Sequence, residues 1–296
     1  GGDGSMSQDN PIYGENYVAK DCTFTRKGYT FAGWNEQKDG KGKSWIGYTG
    51  ANGTKWKWNY TYNITLYAQW TPNRYTVTYN ANGGSGTMSV DRDIAYGSNY
   101  VTKDNGFTAP NGHKFAVWNE KSDGTGISWT SYIGKNWTWT YTNNVTLYAQ
   151  WEANKYTVKV DPNGGSFNVA DTSITKNSDG TATFKTTYNE TYYYALGITA
   201  SRSGYTFDGF YTEKNGGVKV YDGNGVSVNG TYWDASNRWI YTGNVTLYAH
   251  WIANSVKVTF MRNSTSTDTT SATQTFTANG TSNCGTFSDK GWSKTG

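Results

Sequence analysis

The chain has 296 residues, 17% of them aromatic (14 Trp, 25 Tyr, 11 Phe) and only 16% charged. Its mean hydropathy is -0.75, and a net charge of +4 without any Lys/Arg run argues against a surface that tracks phosphates. No stretch approaches the roughly 18 apolar residues of a membrane-spanning helix. Leu, Ile and Val are scarce, so the cores must be small and built around rings, each contributing about 2–3 kcal/mol when covered.

Gly1 to Asn10 lack the basic and apolar pattern of a signal sequence. The first strong strand signal is Gly28 to Trp34 (GYTFAGW), followed by an Asp39-Gly40 turn and then Ile64 to Trp70 (ITLYAQW). In the second of these, Leu66, Ala68 and Trp70 share one face and Thr65, Tyr67 and Gln69 the other. A short polar link, Thr71-Pro72-Asn73-Arg74, leads to the strand Tyr75 to Tyr79 (YTVTY) and an Asn82-Gly83-Gly84 turn, whose residues tolerate positive φ. Gly97 to Lys103 is read as a short helix. Gly112 to Trp118 (GHKFAVW), an Asp123-Gly124 turn and Val145 to Trp151 (VTLYAQW) repeat the earlier series. After the link Glu152-Ala153-Asn154-Lys155 the series runs again: Tyr156 to Val160 (YTVKV), Gly204 to Phe210 (GYTFDGF) and Val245 to Trp251 (VTLYAHW). Lengthened hairpins are expected around Asn177-Ser178-Asp179-Gly180 and Asp222-Gly223-Asn224-Gly225. Ser255 to Phe260 (SVKVTF) then opens a further copy.

The recurrence divides the chain into residues 1–70, a repeat lacking its first strand; 75–151, a complete repeat; 156–251, a repeat with insertions; and 255–296, a partial one. That phase predicts a piece of a longer protein. Pairing of the closing tryptophans (Trp70, Trp151, Trp251) with rings of the central block (Trp34, Trp118, Phe210) would give each repeat its own nucleus. The expected object is a mainly β, tandem array of small modules whose stability is set repeat by repeat and by neighbours.

The blocks G-Y-T-F-x-G-W and T-L-Y-A-x-W, in order three times, resemble the Listeria–Bacteroides repeat family, the internalin B-repeat type of bacterial surface proteins. The resemblance covers essentially the whole chain. It implies β-grasp-like, small α+β modules forming an elongated stalk on secreted, wall-attached proteins of Gram-positive bacteria, anchored through a part outside this sequence. It implies no catalytic residues and no cofactor. His113-Lys114 in place of Tyr-Thr and Phe210 in place of Trp are its departures.

Candidate sites are few. Trp56 and Trp58, and Trp137 and Trp139, stand at i and i+2 before a closing strand; they are either core residues of one strand face or platforms for a host or microbial glycan or a protein. Cys22 and Cys284 occupy equivalent positions in the first and last repeats, as free thiols or as an end-to-end disulfide between chains. His113 and His250 lie in different repeats, so no Cys/His metal set exists, and no nucleophile elbow, H-E-x-x-H or P-loop occurs. Asp222-Gly223-Asn224-Gly225 lacks the downstream Glu of a calcium loop and reads as a turn. Three functions remain: a non-catalytic spacer in adhesion, a glycan- or protein-binding module, and a fibre that assembles head to tail by strand donation.

Overall fold

A computed structural model of the chain describes residues 2–192, 195–261, 269 and 271–278. Two compact units form, one of Gly1–Pro110 and Phe115–Glu152, the other of Asn111–Lys114 and Ala153–Gly296.

The first unit carries β1 (Asn16–Tyr17), β2 (Tyr29–Asn35), β3 (Trp56–Lys57), β4 (Tyr67–Pro72), β5 (Arg74–Asn80), β6 (Asp91–Ala95), β7 (Asn99–Val101), β8 (His113–Asn119), β9 (Asn136–Thr138) and β10 (Val145–Ala153). In its first repeat β2 pairs antiparallel with β4, and β1 with β3. In its second repeat the sheet order is β6-β5-β10-β8, with β7 and β9 as a separate pair. The opening strand β5 and the closing strand β10 run parallel at the centre, Val145 opposite Val77 and Leu147 opposite Tyr79. The period of two explains why: Tyr75, Val77 and Tyr79 of β5 and Val145, Leu147 and Ala149 of β10 are all buried, and the intervening residues are not.

Gly97 to Lys103 contradicts the expected helix. Tyr100 and Thr102 are buried while Asn99 and Val101 are exposed, an alternation only a strand provides, and β7 pairs with β9 through Tyr100 and Trp137. The Tyr100 ring meets Trp137 at 5.7 Å and Trp139 at 5.3 Å between centroids, so ring packing overrides any local helical tendency. No α-helix occurs among the described residues, and the α+β expectation gives way to an all-β architecture; mainly β is correct.

The second unit contains β11 (Lys155–Asp161), β12 (Ser166–Val169), β13 (Thr175–Lys176), β14 (Ala182–Thr187), β15 (Ile198–Ser201), β16 (Tyr205–Tyr211), β17 (Lys219–Asp222), β18 (Val245–Ala253), β19 (Ser255–Met261) and β20 (Ser271–Thr277). Its main sheet runs β13-β14-β11-β18-β16-β17, again with a parallel central pair, Val158 opposite Val245 and Val160 opposite Leu247. Both suspected insertions are turns that add strands. Asn177 to Gly180 turns between β13 and β14, and the Asp222 carboxylate accepts the amides of Asn224 and Val226 beyond β17. Those two bonds make an Asx-type turn, as the missing calcium ligand suggested. β19 and β20 form a hairpin of their own. The partial repeat expected at 255–296 is described only as far as Ala278.

Candidate functional site

Each complete repeat is centred on rings. In the second, Trp118, Trp129 and Trp139 are fully buried with Leu147 and Val77; in the third the counterparts are Phe210, Trp233 and Trp239. The expected direct pairing of a closing tryptophan with a central-block ring is not what forms. A phenylalanine three residues earlier on the central strand bridges them: Phe31 lies 5.0 Å from Trp34 and 6.0 Å from Trp70, Phe115 4.9 Å from Trp118 and 5.9 Å from Trp151, and Phe207 5.0 Å from Phe210 and 5.5 Å from Trp251. The closing indoles stand at the edge of the core and donate outward, Trp151 to the carbonyls of Ala81 and Asn82 and Trp251 to that of Pro162.

The four tryptophans proposed as platforms are packed among other rings. Trp58 and Trp139 are buried; Trp56 and Trp137 are half-buried. Trp56 contacts Tyr17, Trp45 and Tyr48 as well as Trp58, and Trp137 contacts Tyr100, Trp129 and Tyr132 while its indole donates to Thr102 Oγ1 at 3.3 Å. Cys22 is half-buried beside the Phe24 carbonyl, and burial pushes its thiol up. Cys284 lies outside the described residues.

Polar residues that the repeat motifs left aside complete these cores. Asn119 is buried; its Nδ2 donates to the carbonyls of Gly124 and Gly126, and its Oδ1 accepts the amides of Lys121 and Gly126. In the turn at Gly40, Asn35 Nδ2 likewise donates to the carbonyls of Gly40 and Gly42, and its Oδ1 accepts the Gln37 amide. The adjoining Glu120 accepts from Trp129 Nε1 at 2.9 Å and the Tyr141 hydroxyl at 2.7 Å, and Glu36 from Trp45 and Tyr60. The Trp-Asn-Glu shared by the first two central blocks was the signal available in the sequence; the third reads Phe210-Tyr211-Thr212. Asp91 accepts from the hydroxyls of both Tyr79 and Tyr100 and pairs with Lys103. Burial, opposed by the bonds from Tyr100 and Lys103 and aided by the Asp91 charge, holds the Tyr79 phenol pushed up to about 12; burial and the Tyr79 bond drive Tyr100 further in the same direction.

The link asparagines recur with one bonding pattern. Asn73 donates its amide to the Gly28 carbonyl and accepts from the Tyr96 amide, so a residue between two repeats is held from both sides. Within the second unit Asn154 holds Gly112 and Tyr188, and Asn254 holds Gly204 and Ala278, by the same two bonds. Gly28 has φ +77, and a Cβ there would stand 2.2 Å from the Tyr96 ring; Gly112 meets Tyr188 at the same distance. The first repeat also carries a groove of about 750 Å³ along the segment that precedes β4, lined by Tyr17, Ala19, Trp34, Trp58, Ile64 and Leu66 among others.

None of these groups forms a nucleophile–base pair, and among the described residues no three His, Cys, Asp or Glu side chains are placed to hold a metal ion. What the geometry offers is one small aromatic core per repeat, the signature of a tandem-repeat protein. The Listeria-Bacteroides repeat domain matches residues 1–69, 75–150 and 156–250, and the chain belongs to that family. It is 30% identical over 259 residues to a protein of Evansella cellulosilytica named as a Gly-rich membrane protein, covering 83% of this chain and 25% of that one. It is also 32% identical over 180 residues to Internalin H of Listeria monocytogenes, covering 59% of this chain and 27% of that protein. The chain thus spans about a quarter of the length of these relatives.

Proposed function

We propose that the chain is a non-catalytic repeat region of a bacterial cell-surface or secreted protein, serving as a semi-rigid spacer that carries other domains away from the cell. The observation that carries this reading is the bonded link. Asn73 and Asn254 are each tied to a glycine on one side and to the turn residue that follows a strand on the other, which removes the slack a short polar link would otherwise have. The family and the membrane and internalin names of the relatives support a surface location. The sheet order, with first and last strands paired in parallel at the centre, supports a β-grasp-like module in which β7 and β9 stand where a helix was expected.

Small-angle X-ray scattering of the chain tests the spacer role. The wild-type profile should fit a single elongated particle, and Gly28→Ala, which drives a Cβ into Tyr96, should broaden it toward a flexible ensemble. A wild-type profile no stiffer than that of a variant with Thr71-Pro72-Asn73-Arg74 replaced by Gly and Ser would defeat the reading.

A further inference from the structure

Among the described residues three buried side-chain polar atoms have no hydrogen-bond partner: Trp139 Nε1, Thr186 Oγ1 and Trp233 Nε1. Thr186 and Trp233 line one cavity of about 260 Å³ in the third repeat, and each is 1% exposed. A buried polar group without a partner destabilises the fold, so two at one cavity mark a place where a partner from outside recovers the loss.

The strand register shows how the third repeat departs from the second. Thr186 of β14 lies opposite Tyr156, as Ile94 of β6 lies opposite Tyr75. Both residues are buried, but the third repeat puts a hydroxyl where the second has a hydrocarbon. Phe184 lies opposite Val158 where Asp91 lies opposite Val77, so a ring replaces the carboxylate that accepts from Tyr79 and Tyr100. The indoles of Trp45 and Trp129 donate to Glu36 and Glu120, and that of Trp239 to the Tyr241 carbonyl. Trp233 finds no such acceptor, and its ring is fixed by Tyr192 and Tyr221 at 5.6 Å and Trp239 at 5.1 Å between centroids.

The chemistry of the wall selects the ligand. Ile174, Phe184 and Tyr221 add buried apolar lining, while Asp171 and Lys185 are exposed, so the cavity reaches solvent. An apolar cavity of about 150 Å³ takes a benzene ring, and this one is larger. An indole N–H only donates, whereas a hydroxyl both donates and accepts, so an oxygen is required at the inner end. A carboxylate or ammonium there would be buried without a counter-charge, and a sugar would turn most of its hydroxyls against hydrocarbon. We propose that the cavity binds a small uncharged phenol, its ring against Phe184 and Tyr221 and its hydroxyl bonded to Trp233 Nε1 and Thr186 Oγ1.

Titration of the full chain with phenol, and with toluene as a probe of the same size lacking the hydroxyl, tests this by NMR. The Trp233 indole N–H signal, identified by its loss in Trp233→Phe, should shift saturably with phenol. Phenol should bind about fivefold more tightly than toluene, and Thr186→Val should abolish most of that preference while leaving toluene affinity unchanged. Thr186→Val keeps the shape of the side chain, and without any probe it should unfold at a higher temperature than the wild type, because it removes an unpaired hydroxyl. A Trp233 signal that phenol leaves in place overturns the proposal, the two polar atoms then being served by water alone. Equal affinity for phenol and toluene, or a phenol preference that survives in Thr186→Val, overturns it too. None of these outcomes alters the spacer reading.

Discussion

Asn119 shows how a single buried amide holds a turn that no hydrophobic pattern announces. Its side chain makes four bonds to backbone groups of the turn at Gly124. Replacing it with Ala leaves those groups unsatisfied, and the expected loss is about 2–3 kcal/mol of stability of the second repeat, read by denaturant unfolding followed through tryptophan fluorescence. Tyr79 gives a pH signature at the same scale. Its phenol ionises at 10.0 when free and is pushed up to about 12 in the fold. A folded-state value above the unfolded one means that the stabilisation is complete below pH 10.0 and is lost as pH rises toward about 12. Urea midpoints measured across that window should fall more steeply for the wild type than for Tyr79→Phe. An equal slope in both would assign the alkaline sensitivity elsewhere.

At the scale of the strand, two nearly identical sequences sit in different surroundings. ITLYAQW and VTLYAQW differ by one residue, yet β10 has a parallel neighbour and, among the described residues, the Ile64 to Leu66 stretch does not. Leu147→Ala should cost about 2–5 kcal/mol, because a fully buried leucine leaves a cavity. Leu66→Ala should cost less, since Leu66 is already half solvated. Hydrogen exchange makes the same contrast without mutation: amides of Ile64 to Leu66 should exchange well before those of Val145 to Leu147. Gly97 to Lys103 teaches the reverse lesson. Seven residues hold too few turns for periodicity to separate helix from strand, and the partner that decides, Trp137, lies far along the chain.

At the scale of the molecule, three separate aromatic clusters occupy the three family-matched repeats, so unfolding should not be a single all-or-none event. Calorimetry should resolve more than one transition, the earliest from the first repeat, whose cluster has the fewest fully covered residues. A single transition with equal calorimetric and van't Hoff enthalpies would show instead that the links couple the repeats tightly. The repeats themselves were plain in the sequence, because recurring blocks survive insertions and substitutions. The links were not, because their bonds use backbone atoms of Asn73, Gly28 and Tyr96, which no side-chain pattern encodes.

The sequence by itself determined the family, the β periodicity of the central and closing blocks, the Asn-Gly and Asp-Gly turns and the aromatic make-up of each core. All of these are local: alternation, positive φ and ring content are read within a few residues. Only the tertiary structure decided that Phe31, Phe115 and Phe207 bridge the paired rings, that Trp58 and Trp139 turn inward, and that β5 and β11 lie parallel to the strands closing their own repeats. Those outcomes depend on which surfaces meet after the chain has returned on itself, and alternation within one strand says which face is buried but not what covers it.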